Sequence, residues 1–153
     1  MDIIVREMRN DDYDGVREVD EHTQQQYHGS RWNQFSEQEK EDHLQSRKSE
    51  FAINLNTGFC FVAERNDQVI GFIFAYETLP FRGKVHIHHI AIALGYQNQG
   101  IGMLLYKKLI EKAKKKHIKK IIARINLDNP ASIRLHEKIG FHLKDRKEAI
   151  LYL

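Results

Sequence analysis

From residue 85 to 103 the chain reads Val-His-Ile-His-His-Ile-Ala-Ile-Ala-Leu-Gly-Tyr-Gln-Asn-Gln-Gly-Ile-Gly-Met. Two kinds of chemistry are written there. Gly100 and Gly102 stand where a turn enters an apolar-periodic stretch, and a helix starting there leaves its first backbone N–H groups without partners. Those groups and the positive end of the helix dipole attract an anion, and glycine lets it approach the backbone. The imidazoles of His86, His88 and His89 ordinarily titrate near pH ~6.5, so they can exchange a proton at neutral pH. Strand alternation sets His86 and His88 on one face and His89 on the other unless a bulge intervenes. Neutral ligands on alternating faces, with no nearby Asp or Glu, argue against a metal site.

The anion is not a triphosphate in a Gly-Lys-Ser/Thr loop, because Met103 and Leu104 follow Gly102. Nor does the dinucleotide fingerprint fit, since its third glycine would fall at position 105, which is leucine.

These residues need a scaffold, and the pattern predicts a mixed α/β domain over residues 1–153 in the order β-α-α-β-β-β-α-β-α-β. Ile3 to Met8 reads as a first strand, and Tyr13, Val16 and Val19 recur at helical spacing. Ser36-Glu37-Gln38-Glu39 is a capping box that opens a second helix toward Asn54. Gly58–Glu64 and Val69–Tyr76 are strand-like runs joined by a hairpin turn at Arg65-Asn66-Asp67-Gln68. A third run spans Val85 to Ala93, and a helix with an apolar stripe at Ile101, Leu104, Leu105, Leu109 and Ala113 follows it. Ile121–Ile125 is another strand. Asn129-Pro130 caps and starts a last helix, Gly140 stops it, and Ala149 to Leu153 reads as a final strand.

With 153 residues, 41% hydrophobic and 29% charged, the chain carries enough apolar surface for one core. Its single cysteine, Cys60, excludes a disulfide framework and reads as a core residue. No apolar run is long enough to span a bilayer and no export signal is visible at Met1, so a cytoplasmic setting is expected. Residues 1–56 hold 13 acids and 7 bases, a net of −6, whereas residues 57–153 hold 8 acids and 17 bases, a net of +9. The split reads either as two surfaces suited to different partners or as charges clustered on solvated helices.

The segment Gln97-x-x-Gly100-x-Gly102, after the Ile90-Ala91-Ile92 strand, resembles the acyl-CoA motif of the GNAT superfamily of N-acyltransferases. Asn129-Pro130-Ala131-Ser132-Ile133-Arg134-Leu135-His136-Glu137-Lys138-Ile139-Gly140-Phe141 resembles that family's closing Asn…Leu-Tyr-Glu-Lys-x-Gly-Phe pattern. The resemblance implies a mostly antiparallel sheet with a splayed parallel pair, flanked by about four helices. It also implies acetyl-CoA as co-substrate and an amine-bearing acceptor, either a small molecule or a protein. By the same resemblance, the backbone of Ile90, Ala91 and Ile92 would bond the pantetheine arm. The N–H groups of Gln97, Asn98, Gln99, Gly100, Ile101, Gly102 and Met103 would hold the pyrophosphate, and Asn129 would face the arm or simply cap its helix. His136 fills the slot where the family often places a tyrosine that protonates the leaving thiolate.

For the base that frees the amine's lone pair, His88 is the first choice, with His89 and Glu77 behind it. Tyr27, Trp32, Phe35 and Phe81 are candidates for shaping the acceptor pocket. Two other readings compete: a non-catalytic acyl-CoA-binding module, and a nucleic-acid-binding protein using the Lys112–Lys120 basic block. That block has no interleaved aromatics and falls at a helix end, so nucleic acid is not the favoured partner. A homodimer is compatible with a domain of this size.

Overall fold

The computed structural model describes residues 2–78 and 82–153. Strands β1 (Ile4–Glu7), β2 (Phe61–Arg65), β3 (Gln68–Glu77), β4 (Lys84–Ile92) and β5 (Lys120–Ala123) form one sheet in chain order. The first three pairings are antiparallel and β4–β5 is parallel. The helices are α1 (Tyr13–His28), α2 (Glu37–His43), α3 (Lys48–Asn56), α4 (Ile101–Lys115) and α5 (Pro130–Ile139).

Side chains alternate across the sheet and build a core on each face. Phe61, Ile73, Ala75 and Val85 pack against Ile101, Leu105, Tyr106 and Leu109 of α4. Val62, Phe72 and Phe74 meet Val16 and Val19 of α1 and Phe51 of α3 on the other. Asn66 and Asp67 both adopt positive φ, 52° and 60°, as a tight two-residue hairpin requires. Cys60 lies in the core, donating from Sγ to the Asn54 carbonyl, and burial pushes its thiol up. Lys112, in the basic block, turns back to Glu7 at 2.5 Å.

Two expectations are corrected. The helix expected from Ser36 toward Asn54 is two helices, because the chain breaks at residues 44–47. There the amides of Gln45 and Ser46 leave the helical ladder and donate to Asp20 Oδ2, each at 2.7 Å. The strand expected over Ala149–Leu153 does not form. Strand propensity is realised only against a neighbouring strand, and this stretch pairs with none and lies exposed.

Candidate active site

The register of β3 on β4 slips in mid-strand. Phe74 lies opposite His89 and Ala75 opposite Ile87, so His88 is the extra residue of a bulge. Ile87 and Ile90 both belong to the α4 side. The two residues between them turn the other way: His88 packs edge-on to Phe74 and His89 tilts against Phe72, both aromatics of the α1–α3 face. The bulge therefore overrides simple alternation and sets His88 and His89 on one side. His86 stacks on Tyr76 further along the strand.

His88 is exposed, and its Nε2 lies 2.9 Å from Gln45 Oε1. Burial of part of the ring, with Arg47 nearby, lowers its pKa and favours the neutral imidazole. His89 turns its Nε2 inward, 3.9 Å from Oδ1 of the fully buried Asp20. Burial lowers His89 as well, with the Asp20 carboxylate opposing.

The same strand is open along its other edge. β5 pairs only with Lys84 to Ile87, so from His88 to Ile92 the β5 side of β4 has no strand beside it. The backbone groups of residues 90–92 that point away from β3 therefore face no strand and can bond an extended ligand as a strand would, apart from the Ile92 carbonyl, which accepts from Gln97.

Beyond this edge the chain turns into α4. Gly100 caps the helix at φ +80°, with open space where a Cβ would stand. The Leu104 amide, donating to the Gly100 carbonyl at 3.2 Å, opens the helical ladder, leaving those of Ile101, Gly102 and Met103 at the helix start. Gln97 Nε2 donates to the Ile92 carbonyl and to Gln26 Oε1, and Gln99 Nε2 donates to the Gly95 carbonyl. These side chains hold the loop's shape, with Asn98 at φ 61° between them. Gly102 has a second role: a Cβ there would stand 3.1 Å from Leu135, so glycine also lets α5 approach α4.

Asn129 caps α5, its Oδ1 accepting from the Ser132 amide at 3.1 Å. His136 is only 2% exposed. Its Nδ1 lies 2.7 Å from the Ser132 carbonyl, which can only accept, so Nδ1 carries the proton and Nε2 receives the Tyr106 hydroxyl. Burial lowers the His136 pKa and raises that of Tyr106. Glu77 lies apart from the histidine pair: it stands opposite Val85 at the far end of β4 and accepts from the Gly83 amide at 3.0 Å.

On the helical side, Trp32 and Phe35 pack with His28 and His43, while Tyr27 is exposed. Phe81 lies outside the described residues. Sequence reasoning missed Asp20 and Gln45. The signal for Asp20 is its position one turn after Val16, a charge on the helix's apolar face; Gln45 carried none. Among the described residues no three His, Cys, Asp or Glu gather as metal ligands, and no helix is long and apolar enough to cross a membrane.

The chain resembles the L-2,4-diaminobutyric acid acetyltransferase of Shouchella clausii, 34% identical over 81 residues, 53% of this chain and 46% of that protein. It also resembles the [ribosomal protein bS18]-alanine N-acetyltransferase of Haemophilus influenzae, 36% identical over 80 residues, 52% of each. The matching stretch spans about half the length of these curated relatives. In fold it superposes on the PaiA N-acetyltransferase of Thermoplasma acidophilum in complex with coenzyme A, with a TM-score of 0.81 at 19% identity. That match covers 96% of this chain and 94% of the other. Residues 16–141, from α1 to just past α5, match the acetyltransferase (GNAT) family, and the chain belongs to it.

Proposed function

We propose that this chain transfers the acetyl group of acetyl-CoA to a primary amine by direct attack in a ternary complex. The observation that carries this reading is a juxtaposition: the bare edge of β4 runs from the bulge histidines to the amide-lined start of α4. Acetyl-CoA fits these groups. The edge at Ile90, Ala91 and Ile92 matches the amides of a pantetheine arm. The backbone from Gln97 to Met103 matches a pyrophosphate, and Asn129 stands at the start of α5 while still serving as its cap. When bound, the donor supplies an activated thioester, and a backbone N–H at the bulge would polarise its carbonyl.

An alkyl amine with pKa near ~10 arrives protonated at neutral pH. His88, held neutral, accepts that proton; the freed lone pair attacks the carbonyl, and the carbon–sulfur bond breaks. His89 stands behind His88, and Glu77 is left to the loop at Gly83. His136 has both nitrogens engaged, so we assign it to holding α5 on α4 and leave the thiolate's proton to solvent. The relatives named above act on a small diamino acid and on a ribosomal-protein alanine, and both present an amine. An amine panel with acetyl-CoA, followed by free-thiol release, tests the proposal. Release that depends on the amine is expected; coenzyme A binding without it would leave a binding module.

A further inference from the structure

The two bulge histidines are held by a chain of contacts that begins at Asp20. This carboxylate is fully buried on α1. Its Oδ2 takes the amides of Gln45 and Ser46 at 2.7 Å each, which fixes the break between α2 and α3. Its Oδ1 has no hydrogen-bond partner and faces the equally unpartnered His89 Nε2 at 3.9 Å. Gln45, pinned by its backbone, donates from Nε2 to the His43 carbonyl at 3.3 Å, which turns its Oε1 toward His88 Nε2. An amide oxygen only accepts. His88 must therefore carry its proton on Nε2, leaving the Nδ1 lone pair to receive another.

We infer that Gln45 and Asp20 are positioning residues for the proton acceptor: Gln45 selects the His88 tautomer that presents Nδ1, and Asp20 fixes Gln45 and sets a negative charge against the histidine pair. The inference rests on the reaction proposed above. In the step it serves, the ammonium N–H bond breaks, the proton passes to His88 Nδ1, and the ring becomes an imidazolium whose Nε2–H remains on Gln45. The neighbouring Asp20 carboxylate offsets the new charge. The groups that act on this imidazolium are Asp20 from α1, Arg47 and Glu50 from the break and α3, and His89 from β4.

The test combines spectra with kinetics. Long-range 1H–15N imidazole spectra of the unliganded chain should show His88 chiefly as the Nε2–H tautomer, and Gln45→Leu should mix the tautomers. Gln45→Leu should lower kcat on the order of 10-fold, with KM for acetyl-CoA unchanged. Gln45→Glu should restore the rate and, by adding an anion, move the acidic limb of kcat/KM up by about one pH unit. Asp20→Asn should move that limb down, because it removes an anion while keeping an acceptor for the two amides. A merely structural role would change thermal stability and leave the limb in place. Unchanged tautomers and kcat in Gln45→Leu would overturn the inference, as would a limb unmoved in both Gln45→Glu and Asp20→Asn. If Asp20→Asn does not fold, the two Gln45 variants decide it. If the wild-type chain acetylates no amine, the proposed reaction fails, while the spectra still decide the positioning.

Discussion

The two parts of the proposed site, one for the donor and one for the acceptor, are made of different material. On the donor side the chemistry belongs to the backbone: a strand edge that β5 abandons after Ile87, and amides at a helix start behind a glycine with φ +80°. On the acceptor side it belongs to side chains assembled across the chain. Asp20 reaches residues 25 and 26 positions away, and His88 meets Gln45 across 43. A backbone site needs a gap and a turn and tolerates many side chains. A side-chain site fails when one partner is changed.

The largest expected effect is on the acceptor side. His88→Ala should reduce kcat for a high-pKa amine about 10²-fold, the scale of a lost general base, and leave acetyl-CoA affinity intact. The loss should shrink for an amine of low pKa, which arrives already neutral. Steady-state rates across amines of graded pKa check this, and a wild-type rate with a high-pKa amine would remove His88 from the reaction.

The mirror experiment is Gly100→Val. No neighbour blocks the new side chain, but a β-branched residue at that positive φ carries about 1–3 kcal/mol of strain and pulls the loop amides out of line. The dissociation constant for acetyl-CoA should rise roughly 10-fold, about 1.4 kcal/mol, with kcat at saturation little changed. Calorimetry and saturation kinetics on one preparation separate the two. Gly102→Val is a poorer probe, because its Cβ would press Leu135 and disturb α5.

The same division explains what was legible in the sequence. Features whose causes are local appear as read. Ser36 and Glu39 close their reciprocal cap, and Asn66-Asp67 makes the hairpin. Asn129 and Gly140 bound α5. The glycine-rich helix start is local too, and α4 begins behind Gly100 as read. The bulge at His88 is a property of two strands in register and leaves no mark in one of them. The break at Gln45 depends on a carboxylate in another helix, which wins amides that the local pattern assigns to a continuous helix. The strand-like tail errs in the opposite direction, since its apolar run is real but nothing in the sheet pairs with it. His136 was placed by resemblance to a motif, and its hydrogen bonds to Tyr106 and Ser132 could not be seen there.

His136, buried between α4 and α5, sharpens the comparison from outside both parts. His136→Phe leaves the Tyr106 hydroxyl buried without its acceptor, which should cost about 1–3 kcal/mol of stability. The ratio of rates among amines of different pKa should not change. The variant should also alter the pH dependence of folding. Burial holds the His136 pKa below its ordinary value, so the unfolded chain binds more protons as the pH falls through about 6.5. Stability is therefore lost on acidification, and the loss should be shallower in His136→Phe. Denaturant unfolding at pH 7.5 and 5.5 measures both effects.

The smallest effect concerns the approach of the acceptor rather than its reaction. β1 and α1–α3 all come from the part of the chain with net charge −6, and everything from β2 onward from the part with +9. Some of these charges are already spent in internal pairs, such as Arg6 with Asp12 and Glu64, and Arg17 with Glu41. The remaining acidic excess lies on the helices that flank the bulge histidines. An excess of one sign beside a cleft raises the local concentration of the opposite ion and speeds its encounter, and salt screens the effect within about 8–10 Å. A polycationic amine should therefore lose kcat/KM several-fold between low and physiological salt, while an uncharged-chain amine with the same reacting group should change less. Because screening acts on encounter, the loss should appear in kcat/KM and not in kcat at saturation. Equal salt responses for the two amines would mean that the acidic excess lies outside the acceptor's path and that the acceptor side selects by contact alone.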